Sequence, residues 1–152
     1  MLHKSCLVLI AAACLMAGCT ATSVNLKFIA VEPVNELQPG ESRNVDVRVY
    51  QLKDEAKFKA ATVDELWVNA ETVLAEQLIE VKLGESIYPE KPGAPKGREI
   101  IIDPLKPECK FIGVLALFQT GDEVGERKLV VPVKEAGSVT FELTGNHIAV
   151  KK

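Results

Sequence analysis

Apolar and polar residues alternate almost one for one through much of the chain beyond residue 23. Residues 24–31 set Val24, Leu26, Phe28 and Ala30 against Asn25, Lys27, Ile29 and Val31, a period of two that predicts a first strand. Residues 43–53 predict a second, with Val45, Val47 and Val49 on one face and Asp46, Arg48 and Tyr50 on the other. Residues 32–42 lie between them and hold two prolines and a glycine. They predict a loop longer than an ordinary hairpin connection. At Thr62-Val63-Asp64-Glu65 the period changes. Thr62 and Glu65 are spaced to satisfy each other's backbone N–H groups, which predicts a helix start. The helix that follows carries Leu66, Ala70, Val73 and Leu74 on one stripe, with Trp67 beside it.

The period returns to two at Ile79, Val81 and Leu83. Residues 88–98 are rich in proline and glycine and predict a crossing between sheets; residues 99–103 predict a short strand. Residues 111–118 are apolar on both faces, as in a strand covered on each side. Thr120-Gly121-Asp122 turns the chain. Residues 127–133 predict a strand that Pro132 pushes to a sheet edge, because proline cannot donate to a ladder. Residues 138–144 and 147–150 predict a hairpin around Gly145-Asn146, with Leu143 opposite Ile148 and Phe141 opposite Val150. Seven or eight half-apolar strands and one helical insert predict a mainly β fold, a two-sheet β-sandwich.

The first 18 residues break this pattern. His3 and Lys4 precede an apolar run over residues 6–17, too short to span a bilayer and typical of a cleaved signal. The run ends in Leu15-Met16-Ala17-Gly18-Cys19. Small residues before a cut, and a cysteine whose thiolate accepts a diacylglyceryl group, are the pattern of a bacterial lipoprotein signal. An ordinary secretory signal with Cys19 incidental is the alternative. The reading divides the chain into a signal peptide over 1–18, a lipidated tether over 19–23 and a β-sandwich over 24–152. Thr20 is not the aspartate that retains such proteins at the inner membrane, so the periplasmic face of the outer membrane is expected.

Composition narrows the function. Without residues 1–18 the chain has 134 residues (152 − 18) and a net charge of −4, 17 basic against 21 acidic. That is one domain's length and a poor charge balance for nucleic acid, which is bound largely through Lys and Arg. Cys6 and Cys14 leave with the signal, and lipid caps Cys19. Cys109 then has no intrachain partner and reads as a buried small residue rather than a reactive thiol. His147 is the one remaining histidine. It stands in no nucleophile motif, and with Cys109 it is too little for zinc. Asp46, Glu99, Asp103, Asp122 and Glu123 show no spacing that selects a catalytic pair. The chain reads as a non-enzyme with no cofactor or metal beyond diacylglyceryl and N-acyl lipid on Cys19. Binding remains. The 32–42 loop would display Val34 and Leu37 between two prolines, which suits a partner contact of low entropic cost. Leu37 folding back over the sandwich end is the equal alternative. Trp67 reads as a core plug, with an exposed anchor as the other reading.

The stretch Val47-Arg48-Val49-Tyr50-Gln51-Leu52-Lys53 resembles the TssJ family of type VI secretion lipoproteins. In the order of that family come Asn35 and Gly40 before it, then Phe58, Leu66-Trp67, Pro92-Gly93, Ile112-Gly113-Val114 and Asn146-His147-Ile148. Glu126-Arg127-Lys128 stands where the family often has a tryptophan, and Phe118-Gln119 replaces a common Phe-Arg. The resemblance implies a transthyretin-like β-sandwich with a short helical insertion. It implies a structural lipoprotein of the secretion membrane complex that binds the periplasmic C-terminal region of a TssM-like inner-membrane protein, and TssL indirectly. It implies contact through the loop between the first two strands, at Val34, Asn35, Glu36, Leu37 and Gln38. A periplasmic small-ligand carrier or an inhibitor lipoprotein is the rival reading. The small residues Gly113 and Ala116 in the central strand, which suggest tight packing, speak against a carrier.

Overall fold

β1 (Val24–Val34) is bonded along both flanks and organises one of two sheets. The computed structural model describes residues 23–119 and 126–151. The expected signal peptide, Cys19 and the turn at Thr120-Gly121-Asp122 lie outside the described residues. On one flank β1 runs parallel to β8 (Thr140–Gly145), which forms a hairpin with β9 (His147–Lys151). On the other flank it pairs antiparallel with β5 (Arg98–Ile102) and, farther along, parallel with the two-residue β4 (Pro89–Glu90). The second sheet has the order β3 (Leu78–Ile87), β2 (Val45–Leu52), β6 (Phe111–Leu117), β7 (Lys128–Pro132), all antiparallel. The mainly β two-sheet sandwich is as the alternation predicts.

The two sheets bury one core. Leu26, Phe28 and Ala30 of β1 meet Val45, Val47 and Val49 of β2, Ile112, Val114 and Ala116 of β6, and Phe141 and Leu143 of β8. Phe28 and Phe141 stack with centroids 4.9 Å apart, worth about 0.5–1.5 kcal/mol beyond burial. The predicted hairpin register is observed: Leu143 faces Ile148 and Phe141 faces Val150. β7 is an edge strand, as Pro132 requires. Residues 88–98 carry the chain from the second sheet to the first.

A second core covers the outer face of the second sheet. Tyr50, Leu52 and Leu115 point outward there and are roofed by α1 (Ala56–Ala60), α2 (Val63–Leu74) and the link between them, through Phe58, Ala61, Leu66 and Leu74. This double coverage explains why residues 111–118 are apolar on both faces. The capping box at Thr62 and Glu65 forms, and its hydrogen bonds hold the Glu65 carboxyl below its usual range. Tyr50 Oη donates to the Leu66 carbonyl at 3.0 Å, and its ring meets Phe58 edge-on. Burial pushes the Tyr50 phenol up. Lys128 donates to the carbonyls of Phe58, Lys59 and Ala61, placing a cation at the end of α1 where the orphan carbonyls collect.

Three features differ from the alternation. α1 and α3 (Val133–Ala136) are too short, at five and four residues, to show a helical period. Val133 belongs to α3 rather than to the preceding strand. β1 runs three residues beyond residue 31, through a register shift between Ala30 and Val34 that accommodates Pro33. Among the described residues no helix is long and apolar enough to cross a membrane.

Gly113 packs closely against the helical roof of the second sheet. A Cβ there would lie 2.9 Å from Phe58 Cε2 and 3.1 Å from Leu52 Cδ1. Gly113→Ala should therefore cost about 1–3 kcal/mol by overpacking, read as a lower midpoint in urea unfolding with an unchanged slope.

Candidate functional site

The connection between β1 and β2 is built on two inward-facing residues. The Val34 side chain is 0% exposed and belongs to the main core. Its N–H donates to Ser42 Oγ at 3.1 Å, and its carbonyl accepts from the Arg43 N–H at 3.1 Å. Asn35 comes next at φ 49°, a left-handed conformation that asparagine tolerates better than most residues. It is 1% exposed. Its Nδ2 donates to the Asn44 carbonyl at 2.6 Å, and its Oδ1 accepts from the Gln119 N–H at 2.7 Å. Its own N–H donates to the Gly145 carbonyl at 2.7 Å. One buried side chain and its amide thus tie the end of β1 to the start of β2, the end of β6 and the β8–β9 turn.

Beyond Asn35 the loop is closed by its own hydrogen bonds. Glu36 Oε1 accepts from the Gly40 N–H at 2.8 Å. The Gln38 carbonyl accepts from the Glu41 N–H at 2.9 Å across Pro39-Gly40, with Gly40 at φ 86°. Proline second and a positive-φ glycine third are what a type II turn requires. Arg43 closes the far side by an ion pair to Glu41 at 2.9 Å. The tip presents Leu37, 47% exposed, with Gln38 and Pro39 beside it.

These positions decide what the residue pattern left open. Leu37 stands at the surface and does not fold back over the sandwich end. Val34 is not displayed: the longer β1 carries it into the core. Asn35 likewise faces inward, so of the five residues expected at a contact, Glu36, Leu37 and Gln38 form the outer part and Val34 and Asn35 the base. Ser42, Arg43 and the Pro39-Gly40 turn brace the loop. Of these, only Pro39-Gly40 carries a signal that sequence alone could read.

The other candidates fall elsewhere. Trp67 is half-buried against the second core, with the Arg48 guanidinium 3.6 Å from its ring centroid. Arg48 also donates to the Trp67 carbonyl, so the indole is held as part of the roof. Cys109 is buried, as expected, and burial pushes its thiol up. His147 is exposed beside the β8–β9 turn. Asp46 accepts from Ser86 Oγ, and Glu99 accepts from Asn25 Nδ2 at 2.8 Å; Asp103 is exposed. Asp122 and Glu123 lie outside the described residues. Among the described residues no group of three or more His, Cys, Asp or Glu side chains gathers as a metal site.

The geometry is that of a two-sheet sandwich holding a braced loop with an exposed leucine at one end. The chain belongs to the type VI secretion lipoprotein family: the family model described as "Type VI secretion lipoprotein, VasD, EvfM, TssJ, VC_A0113" matches residues 22–151. The resemblance read from the Tyr50-Gln51-Leu52 strand is thereby borne out. The fold is similar to that of Serratia marcescens Lip, a membrane-bound component of the type VI secretion system, with TM-score 0.71 and 19% identity over 87% of this chain and 98% of that one. It is similar to a chain of a type VI membrane complex, with TM-score 0.66 and 26% identity over 88% of this chain and 100% of that one. It is also similar to a chain in a structure described as the TssM C-terminal domain (869-1107) from EAEC, with TM-score 0.60 and 23% identity over 86% of this chain and 98% of that one. No curated protein sequence matches the chain.

The base and the tip of the loop should separate on mutation. Asn35→Ala leaves the Asn44 carbonyl and the Gln119 N–H without their partner and should cost about 1–3 kcal/mol. Leu37→Ser should stay within about 0.5 kcal/mol of the unchanged protein. Thermal and urea unfolding of both variants measure the contrast.

Proposed function

We propose that this chain is an outer-membrane-anchored structural lipoprotein of a type VI secretion membrane complex. In this reading residues 1–18 are removed, Cys19 carries diacylglyceryl and N-acyl lipid, and residues 19–23 tether the sandwich to the periplasmic face. The loop after β1 binds the periplasmic C-terminal region of a TssM-like inner-membrane protein, which brings in TssL indirectly. Glu36, Leu37 and Gln38 make the contact, while Val34 and Asn35 hold them in position.

The observation that carries the reading is the course of β1, which runs from the start of the described chain to the loop. β1 leaves the tether at Val24 and delivers the chain to the loop at Val34, a run of about 33 Å for an extended strand. A linker between membranes needs this polarity: lipid at one end, partner at the other, and a strand bonded on both flanks between. A braced loop also loses little entropy on docking.

The family and the related structures support the partner. The chain matched in the structure described as a TssM C-terminal domain is almost wholly covered by this chain. It is therefore much shorter than a segment 869–1107, and its length suits a lipoprotein subunit held with that domain. The close packing at Gly113 leaves no room for a carried ligand between the second sheet and its helical roof. Nothing in the loop favours a protease or other enzyme target over a structural partner.

Two measurements test the proposal. Cys19→Ser should leave a foldable protein that cannot support secretion; normal secretion by that variant would sink the anchor. Residues 20–152 should bind the periplasmic part of the TssM-like protein from the same genome. Leu37→Asp, or Gly-Ser in place of residues 36–38, should abolish binding while cooperative melting is kept. Binding that survives both changes would move the interface elsewhere on the sandwich.

A further inference from the structure

At the end of the sandwich opposite the loop lies an apolar groove of about 410 Å³. Its walls include Val24 at the start of β1, Leu105 and Cys109 of the connection before β6, and Val133 at the start of α3; Ser23 lies at one end, and Lys106 and Lys134 stand on the rim. The groove is built rather than incidental. Buried Gln51 donates from Nε2 to the Pro104 carbonyl at 3.2 Å and accepts at Oε1 from the Lys106 N–H at 2.8 Å. The Cys109 N–H donates to the Lys106 carbonyl at 3.0 Å, and the Val133 N–H to the Lys110 carbonyl at 2.9 Å. Gln51 is the glutamine of the Tyr50-Gln51-Leu52 motif, so a residue that the docking loop does not use shapes this wall.

We propose that this groove is a membrane-docking surface whose occupant is the acyl-chain region of the phospholipid monolayer that carries the anchor. The inference rests on the reading of Cys19 as the lipidated residue. From Cys19 to Ser23 the chain reaches at most about 14 Å, so the mouth of the groove cannot move far from the lipid surface. At that distance the tether keeps lipid at high effective concentration, and even a shallow apolar contact is occupied. The stem of Lys134 can lie along the apolar wall while its ammonium group reaches phosphate, whereas Lys106 Nζ is paired with Glu80 at 3.6 Å. Their sequence neighbours Glu108 and Glu135 are exposed acids, so the rim has little net charge. Apolar burial therefore supplies the main attraction, and the contact should persist in high salt. Docked this way, the chain stands with β1 leading away from the membrane and loop 35–44 turned into the periplasm.

The test uses the full lipidated chain in nanodiscs of phosphatidylethanolamine and phosphatidylglycerol with brominated acyl chains. In a Trp67→Phe background, Leu105→Trp should be quenched about twofold by the bromolipid, and Trp67 in the unchanged chain hardly at all, as expected for an indole inserted below the headgroups. Hydrogen exchange on the unchanged protein needs no substitution in the groove. Residues 105–110 should exchange more slowly on nanodiscs than in the Cys19→Ser protein free in solution. Nanodisc association with neither quenching nor protection overturns the groove contact and leaves the anchor standing. Equal quenching of both indoles means the sandwich lies on its side and also overturns it. Failure of the unchanged chain to associate with nanodiscs overturns the anchor, and the groove contact with it.

Discussion

β1 is hydrogen-bonded to β8 on one flank and to β5 and β4 on the other, and this double pairing is the constraint on which the rest of the molecule depends. A strand bonded on both sides cannot shift along its axis without breaking ladders on each. Its two ends are therefore held at a set separation: Val24 beside the groove at one pole, and Asn35 just beyond Val34 at the other. The inner-face residues Leu26, Phe28 and Ala30 lock its register, because a slip of one residue would turn all three to the outside. The proposed function, in which load passes from a lipid anchor to a partner, calls for this kind of element.

The second sheet solves a different problem. β2 and β6 are apolar or aromatic on the face away from the main core, at Tyr50, Leu52 and Leu115, and would expose that surface without the helical layer. α1 and α2 cover it, and several of the polar groups this brings inside find partners, although Arg48 Nε is buried without one. Tyr50 Oη reaches the Leu66 carbonyl, and Lys128 collects the free carbonyls at the end of α1. Arg48 lies over Trp67 and bonds its carbonyl. Desolvation lowers the pKa of Lys128, against the pull of Glu126 and Glu65. The roof thus combines packing with a few buried polar contacts, and it stays clear of both ends of β1.

The loop between β1 and β2 shows how a surface feature is set from below. Its exposed tip is short, and its shape comes from Asn35, whose amide is shared among β2, the end of β6 and, through its N–H, the β8–β9 turn. These contacts link three places far apart in sequence. An asparagine in a proline-containing loop reads locally as a turn residue. Its function as a buried cross-link appears only when those strands are brought together.

Sequence by itself determined the features whose physical cause is local. Alternation marked the two faces of β1 and β2, the spacing of Thr62 and Glu65 marked the start of α2, Pro132 marked an edge, and Gly145-Asn146 with its flanking residues set the hairpin register. The order of motifs around Tyr50-Gln51-Leu52 was enough to place the family. Tertiary structure decided what depends on distant partners. The parallel pairing of β1 with β8 extended β1 through Pro33 and drew Val34 into the core, leaving Leu37 as the apolar residue on show. α1 and α3 exist because packing and Lys128 stabilise turns too short to declare a period. The groove exists because Gln51, in one sheet, holds the backbone of a connection more than fifty residues away. Periodicity records which way a side chain faces along its own strand; it carries no information about which distant backbone that side chain will meet.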